Sequence, residues 1–162
     1  MLKEIPSPKV DNLSLVDIHQ FVYERFFEAK NHSDLNELIR FHTNNKYLFM
    51  AHSPNQLNKL GNLVANKSRD NPKEVFEKYY LIMRSLLQKN PTNRSHLNTI
   101  YHIVGHFSKD LTREQKNEFS KMVENLKRDE KELRNILLTL KNWTMKFDKR
   151  YLIRQTYFLL FT

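Results

Sequence analysis

Apolar residues recur along this chain at intervals of three and four, the spacing of helices that bury one face. Ile18, Phe21, Val22, Arg25 and Phe26 follow that spacing in a first helix predicted from about Leu15 to Lys30. Ser14 opens it, with Asp17 in place of the usual Glu or Gln of a capping box. Ser33 is the expected cap of a second helix reaching about Ala51. Ser53-Pro54 restarts the chain with a serine cap and a proline at the first helical position, so that Leu57, Leu60, Gly61 and Val64 face inward. Asn71-Pro72 repeats the device ahead of Val75, Phe76, Tyr79, Ile82, Met83 and Leu86. After Asn90-Pro91-Thr92, a fifth helix is expected from Leu97 to Phe107. Thr112 and Gln115 form a capping box for the longest predicted helix. Its stripe of Phe119, Met122, Val123, Leu126, Leu133, Ile136, Leu137 and Leu140 is interrupted by Glu130. Residues 151–161 are apolar enough to fold back onto the bundle, while Pro6 and Pro8 keep residues 1–12 an irregular lead-in. The pattern predicts a single all-α domain over residues 13–162, a bundle of six or seven helices.

Two polar residues disturb the second stripe. Leu35, Leu38, Ile39, Phe49 and Met50 share one face, and His42 and Lys46 fall near its middle, one turn apart. A lysine and a histidine aimed at a core are costly unless a partner or a cavity receives them. On the fifth helix, Asn98, His102 and Gly105 follow an i, i+4, i+7 line. A glycine inside a helix costs about 1 kcal/mol relative to alanine, so this line reads as a contact surface for another helix or a ligand. His102 and His106 have the spacing of two imidazoles on one metal, but Ile103 stands where a zinc protease needs Glu, and no cysteine is present. No metal and no other cofactor is expected.

Composition narrows the partners. The 162 residues are 40% hydrophobic and 28% charged, a globular balance, and only 2 glycines argue against a turn-rich β fold. No apolar run is long enough to span a membrane and the start lacks the apolar core of a secretory signal, so a cytoplasmic protein is expected. The absence of cysteine excludes disulfides, a thiol nucleophile and a cysteine-held iron–sulfur cluster within these residues. Lys and Arg number 27 against 18 Asp and Glu, a net charge of +9 that favours polyanions, with nucleic acid first. The excess is uneven: residues 131–162 carry 7 basic and 2 acidic groups, whereas residues 1–30 carry 4 and 5.

The sequence also resembles a known family. Phe41-His42-Thr43, Lys46, Leu48, Met50-Ala51-His52-Ser53-Pro54, Leu60-Gly61 and Ala65 match a motif of the YbgA-like family of bacterial helical domains. His96, Asn98, His102, Gly105, Phe107, Tyr151-Leu152 and Gln155 extend the match over about residues 35–160. Two departures lie at the C-terminal side. Arg134 to Thr139 lacks the family's proline-containing segment, and the chain ends Tyr157-Phe158-Leu159-Leu160-Phe161-Thr162 in place of a proline-aromatic-proline tail. Members of the family also occur fused behind iron–sulfur desulfidase domains that act on 4-thiouridine in tRNA. The resemblance therefore implies a link to tRNA thiouridine metabolism, with a separate desulfidase as a conceivable partner and no desulfidase chemistry in this chain.

Three functions are compatible with these residues. The first is an RNA-binding domain, with tRNA the foremost partner. Its phosphate contacts would come from Lys46, Lys59, Lys67, Arg69, Lys141, Lys146, Lys149, Arg150 and Arg154. Tyr47, Tyr151 and Trp143 are its candidates for base stacking, with core packing the competing role for Trp143. The second is a small enzyme in which His42, Lys46, His52, Asn98 and His102 converge on one pocket, the lysine acting as base or nucleophile on a nucleobase-like substrate. The third is a structural role, in which the polar residues satisfy one another inside the bundle.

Overall fold

The computed structural model describes residues 14–160, so the predicted lead-in over residues 1–12 lies outside the described residues. The chain forms α1 (Leu15–His32), α2 (Leu35–His52), α3 (Pro54–Ala65), α4 (Pro72–Leu87), α5 (Asn93–Val104), α6 (Arg113–Leu126), α7 (Glu132–Lys146) and α8 (Arg150–Ile153). Short 3-10 turns follow α5 at Gly105–Phe107 and α8 at Thr156–Leu159. No strand occurs among the described residues, and the all-α architecture holds. The helix total exceeds the predicted six or seven because one predicted helix divides and because α8 is a single turn.

Local signals set most boundaries. Ser14 and Asp17 complete both halves of a capping box, as do Thr112 and Gln115. Ser53 caps α3 with Pro54 behind it, and Asn71 caps α4 in the same way. Three expectations require correction. Ser33 does not cap α2; it ends α1 in a left-handed conformation, φ 49°, and Asp34 supplies the cap through Asn36 N. A two-residue connection needs that reversal, which leaves only the second residue to cap. The fifth helix starts four residues earlier than predicted, because Thr92 and Ser95 form a capping box. It ends at Val104, so Gly105 is a helix terminus and not an interior glycine.

The longest predicted helix breaks at residues 127–131. Those five positions, Lys127-Arg128-Asp129-Glu130-Lys131, are all charged and exposed, so no apolar side chain holds a further turn against the core. The Asp129 carboxylate accepts from Lys131 N and closes the turn. α7 then packs back against α6.

α2 lies at the centre. α1, α3, α4, α5 and the C-terminal 3-10 turn all pack on it. Phe26 anchors an aromatic cluster between α1, α2 and α4, with Phe41, Phe76, Tyr79 and Tyr80 around it. Such rings stabilise the fold by area and by edge contacts alike. Trp143 is half-buried and packs against Phe107 and Phe119 at the edge of the core. Residues 155–160 are buried and seat the chain end against α2 and α7.

Candidate nucleic-acid interface

A helix surrounded by five elements keeps polar side chains at a cost unless each finds a partner. On its buried side α2 meets that need at several positions, although the Asn45 amide donates to the Phe41 carbonyl and leaves its buried Oδ1 without a partner among the described residues. His42 Nδ1 shares a 2.9 Å hydrogen bond with the hydroxyl of fully buried Tyr79, and its Nε2 faces Gly61 of α3. A Cβ at Gly61 would stand 3.9 Å from that nitrogen, an ordinary contact. Burial, with the Lys46 charge one turn away, lowers the His42 pKa to about 4, so the ring is neutral at pH 7.

The end of α2 repeats this logic. His52 Nδ1 donates to the Lys89 carbonyl, which leaves Nε2 as an acceptor. His19 of α1 lies 3.0 Å away through its own Nε2 and must donate that proton. Burial outweighs the Lys89 carbonyl and holds His52 at about 4, with His19 also lowered by burial. His96 of α5 bonds Tyr157 at 2.6 Å, and burial followed by the nearby His52 takes it to about 4. Gln155 accepts from Tyr47 N at 3.3 Å and donates to the Thr43 carbonyl at 2.7 Å, tying the C-terminal segment to the middle of α2.

The other side of α2 opens on different chemistry. Tyr47 is only 2% exposed, and its hydroxyl meets His106 Nε2 at 2.7 Å. Burial, then the Tyr151 hydroxyl, pushes its pKa up to about 12. Lys46 Nζ lies 5.7 Å from the Tyr47 ring centroid. The Tyr151 ring lies over His106 at 5.6 Å and 31°, edge-on to Tyr47 at 6.3 Å. Burial, and then the charges of Lys46 and Lys149, lower the His106 pKa, so the ring is neutral at pH 7. Lys149 is shared with Asp110 at 2.8 Å, whereas Lys46 has no ion pair among the described residues. The reversal after α7 makes this meeting possible. Asp148 takes a left-handed φ of 49°, Lys149 N bonds the Thr144 carbonyl, and α8 turns Tyr151 back toward α2.

Three of the residues nominated for RNA, Lys46, Lys149 and Tyr151, thus gather around His106. Tyr151 keeps 40% of its surface exposed. At 2% exposure Tyr47 has no ring face open to a base, which corrects the sequence expectation for it. Lys146 is exposed beside the Phe147 ring, Arg150 is exposed with Asp148 at 3.7 Å, and Lys141 is half-buried, all on α7 or α8, while Arg154 is exposed just after α8. Lys59, Lys67 and Arg69 are exposed on α3 and the loop after it.

The expected five-residue pocket does not assemble. His42 pairs with α4, His52 pairs with α1, and Asn98 and His102 are exposed on α5. Gly105 has open space around its Cβ direction and receives no neighbouring helix. Among the described residues no group of three or more His, Asp or Glu side chains is placed to hold a metal, and no helix is long and apolar enough to cross a membrane. His106 stood out in the sequence only as half of a weak metal pair. His19, Tyr79 and Tyr157 carried no signal beyond helical spacing, since their importance lies in which helix faces them.

Comparison with known proteins places the chain in a family and is silent on activity. The family described as "Protein of unknown function (DUF1722)" matches residues 46–161. The protein described as "Uncharacterized protein YbgA" from Escherichia coli (strain K12) is 24% identical over 152 residues, covering 93% of this chain and 89% of that protein. No solved structure matches the chain.

Proposed function

The chain belongs to the DUF1722 family, whose members include YbgA-like proteins, and from that premise we propose that it is an RNA-binding domain with tRNA as its foremost partner and no desulfidase chemistry of its own. One observation carries the reading: Lys46 of α2 stands beside the Tyr47 ring, Tyr47 bonds His106 after α5, and His106 packs against Tyr151 of α8, two residues beyond Lys149, in one cationic and aromatic patch. A phosphate needs concentrated positive charge and hydrogen-bond donors, and an unpaired base needs an exposed ring face. Lys46 and Lys149 supply the charge, and Tyr151 over His106 supplies the face. Lys146, Arg150 and Arg154 extend the positive surface along the chain on either side. The link to thiouridine metabolism, with a separate desulfidase as partner, rests on the family resemblance and is part of the same proposal.

The test is equilibrium binding of unfractionated tRNA across a salt series. Each phosphate neutralised contributes a slope of about −0.7 to −0.9 in log K against log salt. Affinity that falls steeply with salt, with a shallower slope in Lys46→Ala and Lys149→Ala, supports the reading. No binding at low salt, or binding indifferent to salt, overturns it.

A further inference from the structure

α6 packs along α7 and leaves a groove against the end of α5. The groove has a volume of about 320 Å³, within the range of small-ligand pockets. Buried Phe119 and Val123 form its apolar floor, and exposed Tyr101, Lys116 and Glu124 stand at its rim. Gly105 lines the same space. Its backbone is ordinary right-handed helix, φ −56° and ψ −28°, so no dihedral requires a glycine there. No atom lies within 4 Å of a Cβ placed on it, so no packing contact requires one either. What the missing side chain leaves is room in the groove. The next residue is His106, so groove and cationic patch adjoin across a single peptide.

We propose that this groove receives an unstacked nucleobase from the RNA whose backbone binds at Lys46 and Lys149, an inference that rests on the RNA-binding reading above. The chemistry of the lining matches a base. Its flat faces meet Tyr101, Phe119 and Val123, and its edge, which carries both donors and acceptors, meets the Lys116 ammonium and the Glu124 carboxylate. Glu124 also pairs with Lys127 at 2.9 Å, which keeps the carboxylate ionised at the rim. The Gly105–Phe107 turn joins the two sites, with Gly105 lining the groove and His106 packing against Tyr151.

Gly105→Leu and Tyr101→Ala are the informative variants. Gly105→Leu fills the groove from a backbone position that accepts a side chain, and thermal unfolding verifies that each variant folds. Binding is measured with a short mixed-sequence single-stranded RNA and with copies carrying one abasic nucleotide at successive positions. In the unaltered protein, one abasic position weakens binding about tenfold, the effect of a lost base–aromatic contact. Gly105→Leu weakens the intact RNA by a similar factor and abolishes the difference at that position. Unchanged affinity in both variants, or equal binding of every abasic copy by the unaltered protein, overturns the groove while leaving RNA binding at the patch intact. Absence of binding by the unaltered protein overturns both readings together.

Discussion

α2 faces two environments that use the same residue types in opposite ways. On its buried side His42, His52 and the neighbouring His96 are neutral, and each is matched to a defined partner: Tyr79, His19 with the Lys89 carbonyl, and Tyr157. On its open side Lys46 has no ion pair among the described residues, and His106 and Tyr151 keep surface exposed to solvent. A buried polar group bonded to a partner on another helix holds the helices in one arrangement. Lys46 is the reverse: a half-buried cation beside an aromatic ring, with no ion pair among the described residues, keeps its charge for a ligand. The comparison separates two roles that the sequence motif runs together.

Acid provides the largest test. His42, His52 and His96 have folded pKa values of about 4, below the unfolded value of 6.5. As pH falls below about 6.5 the unfolded chain takes up protons that the folded chain refuses. Stability is therefore complete above that pH and is lost progressively down to about pH 4, by roughly 5 kcal/mol or more for three such groups. Urea unfolding across that window measures it. RNA affinity is expected to move the other way at first, because His106 gains a charge beside Lys46 and Lys149 while the core is still folded. An acid-stable protein, or affinity that falls in step with stability, breaks the distinction between the two sides.

Removing Lys46 and Tyr151 together, as Lys46→Ala with Tyr151→Ala, should weaken tRNA binding by about 50-fold. The melting temperature should shift less than for a core substitution, since Lys46 has no ion pair among the described residues and Tyr151 keeps 40% of its surface exposed. Tyr157→Phe is the complementary change. It leaves the buried His96 nitrogen without its partner and should cost about 1–3 kcal/mol in urea unfolding, with tRNA affinity unchanged under folding conditions. If Tyr157→Phe instead abolishes binding in a folded protein, the buried side takes part in recognition. The smallest effect belongs to Gly105→Ala, which should stabilise the protein by about 0.4–1 kcal/mol, because the backbone already suits alanine and the unfolded chain loses freedom. A loss of stability there would mean that the space beside Gly105 is needed by the fold itself.

The sequence by itself determined the helices and much of their order. Ser14 with Asp17, Ser53-Pro54, Asn71-Pro72 and Thr112 with Gln115 are signals confined to a few adjacent residues, and capping is a local interaction. The misfit of His42 and Lys46 on an apolar stripe was legible for the same reason, since position on a helix face follows from spacing. The break at residues 127–131 was harder to see, because a charged run continues a helix as readily as it ends one until the core declines to cover it. Only the tertiary structure decided which polar residues meet. Tyr47 and Tyr151 lie more than a hundred residues apart in the chain, and nothing near either one indicates that the first is buried and the second left open. His106 gained its place from the reversal at Asp148, which brings α8 back to α2. Helix formation depends on neighbours along the chain, whereas a site depends on which distant surfaces the packed core brings together.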